Sequence, residues 1–320
     1  MSLSLDIFRA LADPTRMRIV ALLRAMELSV GELAQVLGQS QPRVSRHAKI
    51  LCDAGIARRR KEGSWVYLGT GMPDRTGKLF AAIDDWNDSE GGDHWARADT
   101  ARLAAVRADR AAAAMRYFEA HASQWDAIRS LHVPESAVEA AMAAALADAP
   151  LGRLADIGTG TGRMLELFGP DAKSVTGIDR SSEMLRLARA KLAETSGFPV
   201  ELLQGDIGEL HLTNASVDTA ILHQVLHYLP APEAAIAELA RILAPGGRAL
   251  IVDFAPHDRD ELRDRDAHAR LGFSDQQIGD WFGRAGLILD LCESLEGGEL
   301  TVKIWRGTRP AQPHLKVVAA

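Results

Sequence analysis

A glycine-rich segment in the second half of the chain has the composition of a ligand-binding turn. It reads Asp156-Ile157-Gly158-Thr159-Gly160-Thr161-Gly162 and joins an apolar run to a helical pattern. Glycines at such a turn let the backbone bend sharply and approach a ligand closely. Asp179 follows Asp156 by 23 positions, near the offset of about 20 at which comparable folds place a carboxylate on ribose hydroxyls. The pattern predicts a nucleoside site. Arg163 stands where a dinucleotide fingerprint needs a third glycine, which argues against a pyrophosphate ligand.

Polar and basic side chains near the N-terminus have the chemistry of DNA recognition. Arginine can bond guanine through two hydrogen bonds, and glutamine can bond adenine in the same way. Candidates for such base contacts lie early in a predicted helix: Gln41, Arg43, Ser45 and Arg46. A basic run on a predicted hairpin would meet phosphate or the minor groove: Arg58, Arg59, Arg60 and Lys61.

Histidines in the second half are candidates for metal binding or proton transfer. His223 and His227 are four residues apart, a spacing that could place both imidazoles on one helical face. No cysteine or carboxylate completes a ligand set with them, so we predict no metal site. His257 and His268 flank an acidic, arginine-rich stretch, and each is either a general base or a surface residue. We assign no catalytic residue, and His223 and His268 stand as candidates.

The elements that position the basic residues form a winged helix-turn-helix. Asp13-Pro14 has the form of a helix start, with an aspartate cap and a proline in the first turn. A short helix over residues 30–37 ends at Gly38, and after the turn Gln39-Ser40-Gln41-Pro42 a further helix runs to about residue 53. Strand-like runs at 56–61 and 64–68 then flank a turn as a hairpin. Two short helices followed by a basic hairpin are typical of this DNA-binding unit.

Apolar runs with strand character alternate with helical patterns beyond about residue 150. They cover residues 153–157, 174–178, 200–204, 217–222 and 248–254. This alternation predicts a parallel, doubly wound sheet, and a Gly297-Gly298 turn between further runs predicts a terminal hairpin. We therefore expect three parts: a mainly α winged helix-turn-helix at 1–72, a helical connector for dimerisation and for a lid at 73–149, and an α/β domain at 150–310.

Charge and composition fit a DNA-binding head on an acidic body. The 320 residues carry a formal net charge of -6, yet basic side chains outnumber acidic ones in residues 1–70. No apolar run is long enough to span a membrane and no leader of signal-peptide form begins the chain, so we expect a cytoplasmic protein. Cys52 and Cys292 lie far apart, which argues against a disulfide and against a thiolate metal site.

The second half resembles class I S-adenosylmethionine-dependent methyltransferases over roughly residues 117–308. The resemblance rests on four motifs in the family's order: the glycine-rich segment, Gly177-Ile178-Asp179-Arg180-Ser181, Gln204-Gly205-Asp206-Ile207 and Leu243-Ala244-Pro245-Gly246-Gly247. It is most similar to the branch that contains ubiquinone- and menaquinone-biosynthesis methyltransferases. The resemblance implies a Rossmann-like, seven-stranded sheet with an antiparallel last strand, and S-adenosylmethionine (SAM) or S-adenosylhomocysteine (SAH) as ligand.

The same resemblance implies which residues hold that ligand. The methionine moiety would lie along Asp156 and residues 158–162, and the ribose on Asp179. Asp206 would accept a hydrogen bond from the adenine amino group, with Ile207 beside the ring. Tyr117 and Trp125 would either cover the ligand or pack within the connector. The complete candidate set is Asp156, Gly158, Thr159, Gly160, Gly162, Asp179, Arg180, Met184, Asp206, Ile207, His223 and Tyr117.

The head resembles the ArsR/SmtB family of winged-helix repressors over about residues 5–70. The matching segments are Leu11-Ala12-Asp13-Pro14-Thr15-Arg16, Val44-Ser45-Arg46-His47 and Gly55-Ile56-Ala57. Arsenic-sensing members bind the metalloid through a segment of the form E-L-C-V-C-D-L. Here that segment reads Glu27-Leu28-Ser29-Val30-Gly31-Glu32-Leu33 and lacks both thiolates. Without soft ligands the segment should not hold arsenite, so the effector site must lie elsewhere.

Two functions remain open. In the first, a DNA-binding repressor uses the methyltransferase-type domain to sense SAH or SAM. The domain order resembles that of SAH-responsive ArsR-type regulators, which implies control of methionine-cycle genes. In the second, the chain is a working small-molecule methyltransferase whose head regulates its own operon. In either case we expect a homodimer that sets two recognition helices about 34 Å apart on palindromic double-stranded operator DNA.

Overall fold

The structure, a computed structural model, describes residues 3–62, 65–71, 73–89, 97–106, 108, 134–195, 197–296 and 298–311. The chain folds as two compact units, Met1–Ala111 and Ala112–Ala320. No helix among the described residues is both long and apolar enough to cross a membrane.

The first unit contains the winged helix-turn-helix that the sequence predicts, and it extends beyond the predicted boundary at residue 72. Its three-stranded antiparallel sheet has the order β1-β3-β2. Strands β2 and β3 form the predicted hairpin, whereas β1 is a two-residue strand that the sequence analysis did not identify. The elements in chain order are α1 (Leu3–Leu11), α2 (Pro14–Ala25), β1 (Leu28–Ser29), α3 (Val30–Leu37), α4 (Gln41–Asp53), β2 (Ala57–Glu62), β3 (Trp65–Thr70), α5 (Pro73–Ser89) and a helical stretch, α6, at 97–106.

Local chemistry sets the ends of the helices in this unit. The Asp13 side chain accepts a hydrogen bond from the backbone N–H of Arg16 at 3.0 Å, so Asp13 caps α2 as predicted. Gly38 ends α3 with a φ of 64°, a left-handed conformation that glycine adopts without strain. Helices α3 and α4 are thereby fixed on either side of a short turn, which presents the start of α4 on the surface.

Helix α6 packs on the head, although the sequence analysis assigned these residues to the connector. Leu103 and Val106 are buried with the apolar core of the first unit. The Asp99 carboxylate is almost fully buried and accepts two hydrogen bonds from the Arg18 guanidinium, both at 2.6 Å. This two-point pairing holds α6 against α2.

The second unit is an α/β domain built on one seven-stranded sheet. The sheet order is β6-β5-β4-β7-β8-β10-β9, and β10 alone runs antiparallel to its neighbours, as the resemblance implies. Its elements are α7 (Glu135–Leu146), β4 (Arg153–Ile157), α8 (Arg163–Phe168), β5 (Ser174–Asp179), α9 (Ser182–Thr195), β6 (Val200–Gln204), β7 (Val217–His223), α10 (Pro232–Ile242), β8 (Leu243–Phe254), α11 (Glu261–Arg265), α12 (Asp275–Ala285), β9 (Ile288–Leu295) and β10 (Val302–Thr308).

The strand order places a switch point beside β4. Strand β5 lies on one side of β4 and β7 on the other, so the connections that follow β4 and β7 leave the sheet in opposite directions. Open sheets of this kind bind ligands outside the carboxyl ends of their strands at such a point. The glycine-rich segment follows β4 at this edge.

Strand β8 begins earlier than the sequence predicts. The apolar run starts at Arg248, but the strand starts at Leu243, which pairs with Val217 of β7. The intervening Gly246 has a φ of 80°, and its N–H donates to the carbonyl of Arg309 at 2.9 Å. The glycines thus let the chain bend while it stays hydrogen-bonded, so the strand continues through a segment that reads as a turn.

Candidate ligand site and nucleic-acid interface

The glycine-rich segment forms a tight loop at the end of β4. Gly158, Gly160 and Gly162 all have positive φ, at 77°, 53° and 83°. A Cβ on Gly158 would lie 2.6 Å from the side chain of Val225, so the loop after β7 packs directly on this glycine. Any larger residue at this point would be strained and would collide with that loop. Gly158 is therefore required both by its positive φ and by the close approach of Val225.

Asp156 is buried at the base of this loop. The Thr159 hydroxyl donates to its Oδ2 at 2.6 Å, and Thr159 is itself buried. A carboxylate held in this way is fixed in orientation beneath the loop. The structure thus places Asp156 and Thr159, two of the predicted ligand residues, together.

Asp179, at the end of β5, joins the loop from the neighbouring strand. Its Oδ2 accepts a hydrogen bond from the Gly160 N–H at 2.8 Å, and its Oδ1 accepts one from the Ser181 N–H at 2.8 Å. Burial raises the pKa of this carboxyl, and the N–H donors oppose that shift. Each carboxylate oxygen has further acceptor capacity, so the group can still accept hydrogen bonds from ribose hydroxyls.

The predicted adenine side lies next to Asp179 across the β5–β6 pair. Gly205 donates from its N–H to the Asp179 carbonyl at 3.0 Å, which brings Asp206 close to Asp179. The Asp206 side chain is exposed and lies 3.9 Å from Arg180. Ile207 is buried beside it. Asp206 can therefore meet a polar group while Ile207 supplies an apolar surface.

Two other predicted ligand residues are in the described chain and one is outside it. Met184 is buried in the first turn of α9, where its N–H donates to the Ser181 hydroxyl at 3.2 Å. His223 is buried at the end of β7. Tyr117 lies outside the described residues.

The segment after β7 contains a strained residue. Gln224 has a φ of 53°, and its N–H donates to the carbonyl of Val252 at 2.7 Å. A left-handed non-glycine residue costs on the order of 1 kcal/mol or more and persists when its surroundings require it. Here the conformation turns the chain so that Val225 contacts Gly158.

Sequence reasoning named His227 but missed its buried partner, Asp253. The His227 Nδ1 lies 2.9 Å from Asp253 Oδ1, and both side chains are almost fully buried. His268 is also buried, with its ring 4.3 Å from that of His227, so it is not a surface residue. An aspartate in the apolar run of β8 was the signal available in the sequence. Among the described residues no group of three or more potential ligands could hold a metal ion.

The predicted base-reading residues lie together on the surface of the head. Gln41, Arg43 and Arg46 are exposed on the first turns of α4, and Ser45 is half-buried beside them. Their placement at the N-terminal end of the second helix is the one that helix-turn-helix proteins use in the major groove. The structure brings all four predicted residues to one helix end.

The basic wing, which is the hairpin of β2 and β3, carries its cations on two faces. Arg58 and Arg60 face Glu27, whose carboxylate lies 3.8 Å from Arg58 and 3.0 Å from Arg60. Arg59 and Lys61 point to the opposite face of β2 and are exposed. The alternation of side chains along the strand therefore leaves Arg59 and Lys61 as the cations presented to solvent.

The segment aligned with the metalloid site is a helix cap. Ser29 accepts a hydrogen bond from the Glu32 N–H at 3.2 Å, and Glu32 Oε2 accepts from the Ser29 N–H at 2.8 Å. Gly31 occupies the second thiolate position, and a Cβ there would lie 3.2 Å from the amide nitrogen of Gln41. In this segment Ser29 and Glu32 therefore form the cap of α3, and neither aligned cysteine position carries a thiolate.

Comparison with known proteins supports this division of the chain. The family model described as bacterial regulatory protein, arsR family, matches residues 13–59, and the methyltransferase domain model matches 155–251. Arsenic resistance transcriptional regulator ArsR1 of Pseudomonas putida is 39% identical over 101 residues, which are 31% of this chain and 75% of that protein. Phosphatidylethanolamine N-methyltransferase of Cereibacter sphaeroides is 38% identical over 112 residues, 35% of this chain. The chain spans only 55% of that methyltransferase.

Solved structures show the fold of the second unit. A SAM-dependent methyltransferase from Thermotoga maritima superposes with a TM-score of 0.50 at 22% identity, covering 61% of this chain and 99% of that one. A chain from the complex of the Haloferax volcanii Trm112 methyltransferase activator with a methyltransferase gives 0.51 at 22% identity, covering 60% and 97%. The chain belongs to the arsR family of bacterial regulatory proteins, and its DNA-binding domain is fused to a methyltransferase domain of the class I fold.

Proposed function

We propose that this protein is a DNA-binding transcriptional repressor whose methyltransferase-fold domain binds SAH or SAM as its effector. The proposal rests on two features that occur in the same chain: a head without metalloid ligands and a second domain with a candidate ligand site. The segment that would hold a metalloid is a hydrogen-bonded helix cap at Ser29 and Glu32. The second domain contains a glycine loop joined to a strand-end carboxylate, Asp179. A regulator needs a signal, and this loop is the ligand site on which the proposal relies.

The DNA side of the proposal is a homodimer on a palindromic operator. Leu5 and Phe8 of α1 are apolar but exposed, at 43% and 59%, which favours a partner surface on this helix. A two-fold dimer would set two α4 helices about 34 Å apart, one turn of DNA. The protein would act in the cytoplasm, and the genes it controls would be those of the methionine cycle, which makes and consumes SAM and SAH.

Operator binding measured with each ligand tests the effector role. One ligand should change the affinity for operator DNA by about 5- to 150-fold, a coupling of about 1 to 3 kcal/mol. SAM carries a sulfonium and SAH a neutral thioether, so the two should differ in effect. The Asp179→Ala variant, which lacks the predicted ribose contact, should bind operator normally and lose the ligand response. An operator affinity that neither ligand changes would exclude the effector role.

A second candidate function is methyl transfer to a small molecule. The buried pair formed by His227 and Asp253 favours it, because such a pair can take up a proton. Two relatives support it by name: the Cereibacter sphaeroides enzyme and demethylmenaquinone methyltransferase of Thermus thermophilus, 37% identical over 107 residues. The two functions are compatible, since a protein that binds SAM as effector could also transfer its methyl group. Formation of SAH from SAM in the presence of an acceptor distinguishes a catalyst from a sensor.

A further inference from the structure

An arginine follows the glycine-rich ligand loop directly. Arg163 is the first residue of α8 and comes straight after Gly162, at the position where a dinucleotide fingerprint would have glycine. Its guanidinium donates to both carboxylate oxygens of Glu139 in α7, from Nε at 2.6 Å and from Nη2 at 2.8 Å. Two parallel charge-assisted hydrogen bonds fix the orientation of the groups that they join. The end of the loop is therefore held in a defined geometry against α7.

The same arginine links the loop to the other half of the candidate site. Arg163 also donates to Glu166, at 3.0 Å, and the Lys191 ammonium of α9 lies 3.3 Å from the Glu166 carboxylate. Helix α9 starts shortly after Asp179, the carboxylate expected to hold the ribose. A network of alternating charges thus joins α7 to the two helices that follow the two halves of the site, α8 and α9.

Apolar packing supports this network. Met142 of α7 is buried in one cluster with Leu154 of β4 and Met164 of α8. Toward α9, a Cβ on Gly162 would lie 3.1 Å from the Leu192 side chain, so the loop also packs closely on that helix. Protein interiors transmit a displacement because they have few voids to absorb it. A shift of the loop on ligand binding would therefore be passed to α7.

The helices on either side of the boundary between the units are each fixed to a functional element. Helix α7 is the first described helix of the second unit, and α6 is the last described helix of the first. In α6, Asp99 pairs with Arg18 of α2, and Arg102 donates to the carbonyl of Val36, near the end of α3, at 3.2 Å. Helix α6 is thus fastened to the helix-turn-helix, as α7 is to the ligand loop. The chain therefore joins the ligand loop to the DNA-binding helices through two anchored helices.

We propose that Arg163 is a positioning residue that, through Glu139, passes ligand binding at the loop to α7 and so to operator binding. The inference rests on the proposed function and names the contact through which its ligand would change DNA affinity. A ligand shifts a conformational equilibrium only by the difference in its affinity for the two states. Here the favoured state is the one in which the Arg163–Glu139 pair holds the loop and α7 together. Loss of the pair leaves both binding sites in place and uncouples them.

The Glu139→Ala variant of the full-length protein tests this role. The quantity measured is the fold-change in operator Kd that saturating SAH or SAM causes, followed by fluorescence anisotropy. This coupling factor should be about 5- to 150-fold in the wild type and below about twofold in the variant. The variant's Kd for each ligand, and its operator Kd without ligand, should stay within about threefold of wild type, because Glu139 belongs neither to the candidate ligand set nor to the DNA-binding unit.

Reciprocity supplies a readout that a purely structural role would not move. The ligand Kd, measured by calorimetry with and without operator DNA, must change by the same coupling factor as the operator Kd. In the Glu139→Ala variant this second factor should also fall to about 1. A pair that served stability alone would, when broken, lower the melting temperature and leave both factors at their wild-type values.

Two further variants serve as control and conservative test. Glu183→Ala removes an exposed carboxylate that pairs with Arg186 at 2.7 and 2.9 Å within α9, so it breaks an ion pair that joins no second helix. This control should keep the wild-type coupling factor. Glu139→Gln keeps one acceptor oxygen for Arg163 but loses the charge and the second hydrogen bond, and its coupling factor should lie between those of the wild type and Glu139→Ala.

The outcomes distinguish this inference from the proposed function. A Glu139→Ala variant with the wild-type coupling factor would overturn the inference and leave the regulator intact. A Glu183→Ala variant that loses as much coupling would overturn it too, since any ion pair near the site would then suffice. If Glu139→Ala does not fold, Glu139→Gln decides, and a wild-type factor there overturns the inference. Wild-type protein whose operator affinity responds to neither ligand would overturn the proposed function, and this inference with it.

Discussion

The backbone N–H of Gly160 donates to the carboxylate of Asp179 at 2.8 Å, so one hydrogen bond joins the loop after β4 to the end of β5. The residue expected to hold the ribose therefore also fixes the loop expected to hold the methionine moiety. Binding at either half of the site should depend on the same side chain, because its removal loosens both.

Replacement of Asp179 by alanine should weaken SAH and SAM binding by about 10- to 150-fold. The variant loses charge-assisted hydrogen bonds worth about 1.5 to 3 kcal/mol. Isothermal titration calorimetry measures the change. The exposed Asp171→Ala variant carries the same change in charge and should bind both ligands normally. Wild-type affinity in the Asp179 variant would show that the ribose lies elsewhere.

Substitutions on the two faces of the wing should have different effects: one should lower DNA affinity and the other should lower stability. Arg59→Ala removes an exposed cation, so operator affinity should fall at low salt and the salt dependence should weaken by about one counterion. Arg60→Ala breaks the ion pair with Glu27 and should affect the melting temperature more than the salt slope. Fluorescence anisotropy over a salt series and thermal unfolding give the two readouts.

Equal loss of salt dependence in both wing variants would contradict this division. It would show that Arg60 leaves Glu27 when DNA binds. Lys61, which shares the exposed face with Arg59, should behave like Arg59.

Substitutions early in α4 should relax DNA sequence preference. Arg43→Ala and Arg46→Ala should each cost about 1 to 3 kcal/mol of operator affinity if they read base edges. Lys49, exposed further along the helix, provides a matched loss of charge, and Lys49→Ala should weaken all DNA sequences about equally. Binding to operator and to scrambled DNA is compared for each variant. Loss of SAH binding in the same variants would indicate a folding defect instead.

Much of the fold is predictable from the sequence because parallel strands are buried on both faces. The runs that become β4, β5 and β7 are short and mostly buried, with apolar residues along much of their length, so each strand is evident without knowledge of its partners. Strand β1 has only two residues, and it exists because Leu28 pairs with Leu68 of β3. A contact so distant in sequence leaves no local pattern. The same holds for Asp99, whose partner Arg18 lies in another helix.

In the candidate site, too, local motifs are predictable from the sequence and contacts between distant residues are not. The glycine loop and Asp179 are local motifs with a known spacing, and the structure joins them by hydrogen bonds. The pairing of His227 with Asp253 depends on the parallel register of β7 and β8, in which His223 lies opposite Val252. No spacing in the sequence reports that register. The histidine could be noticed, but its carboxylate partner could not be identified.

The helix cap that replaces the metalloid site should be a source of stability. Ser29→Ala removes the hydroxyl that accepts from the Glu32 N–H, so the free energy of unfolding should fall by about 1 kcal/mol. Chemical denaturation measures this value. Arsenite should leave operator binding by the wild-type protein unchanged, because the segment has no thiolate. Release of DNA by arsenite would place a metalloid site elsewhere in the chain.

An ion pair at the start of the sheet should make stability depend on pH in a defined range. The Arg153 guanidinium donates to both oxygens of Asp218, at 2.7 and 2.9 Å, and holds the pKa of that carboxyl at about 2, below its ordinary value of 3.8. Because the folded-state pKa is depressed, the contribution is complete above about pH 4 and is lost as the pH falls toward 2.

The Asp218→Asn variant tests this range. At pH 7 it should melt a few degrees below the wild type, a small change because both side chains are partly exposed and screened by solvent. At pH 3 the difference in melting temperature should be clearly smaller, since the wild type has lost part of the ionic contribution. The exposed Asp171→Asn variant serves as the control and should track the wild type at both pH values. A difference of the same size at pH 3 and pH 7 would mean that the amide fails for steric reasons and that the ionised carboxylate contributes nothing.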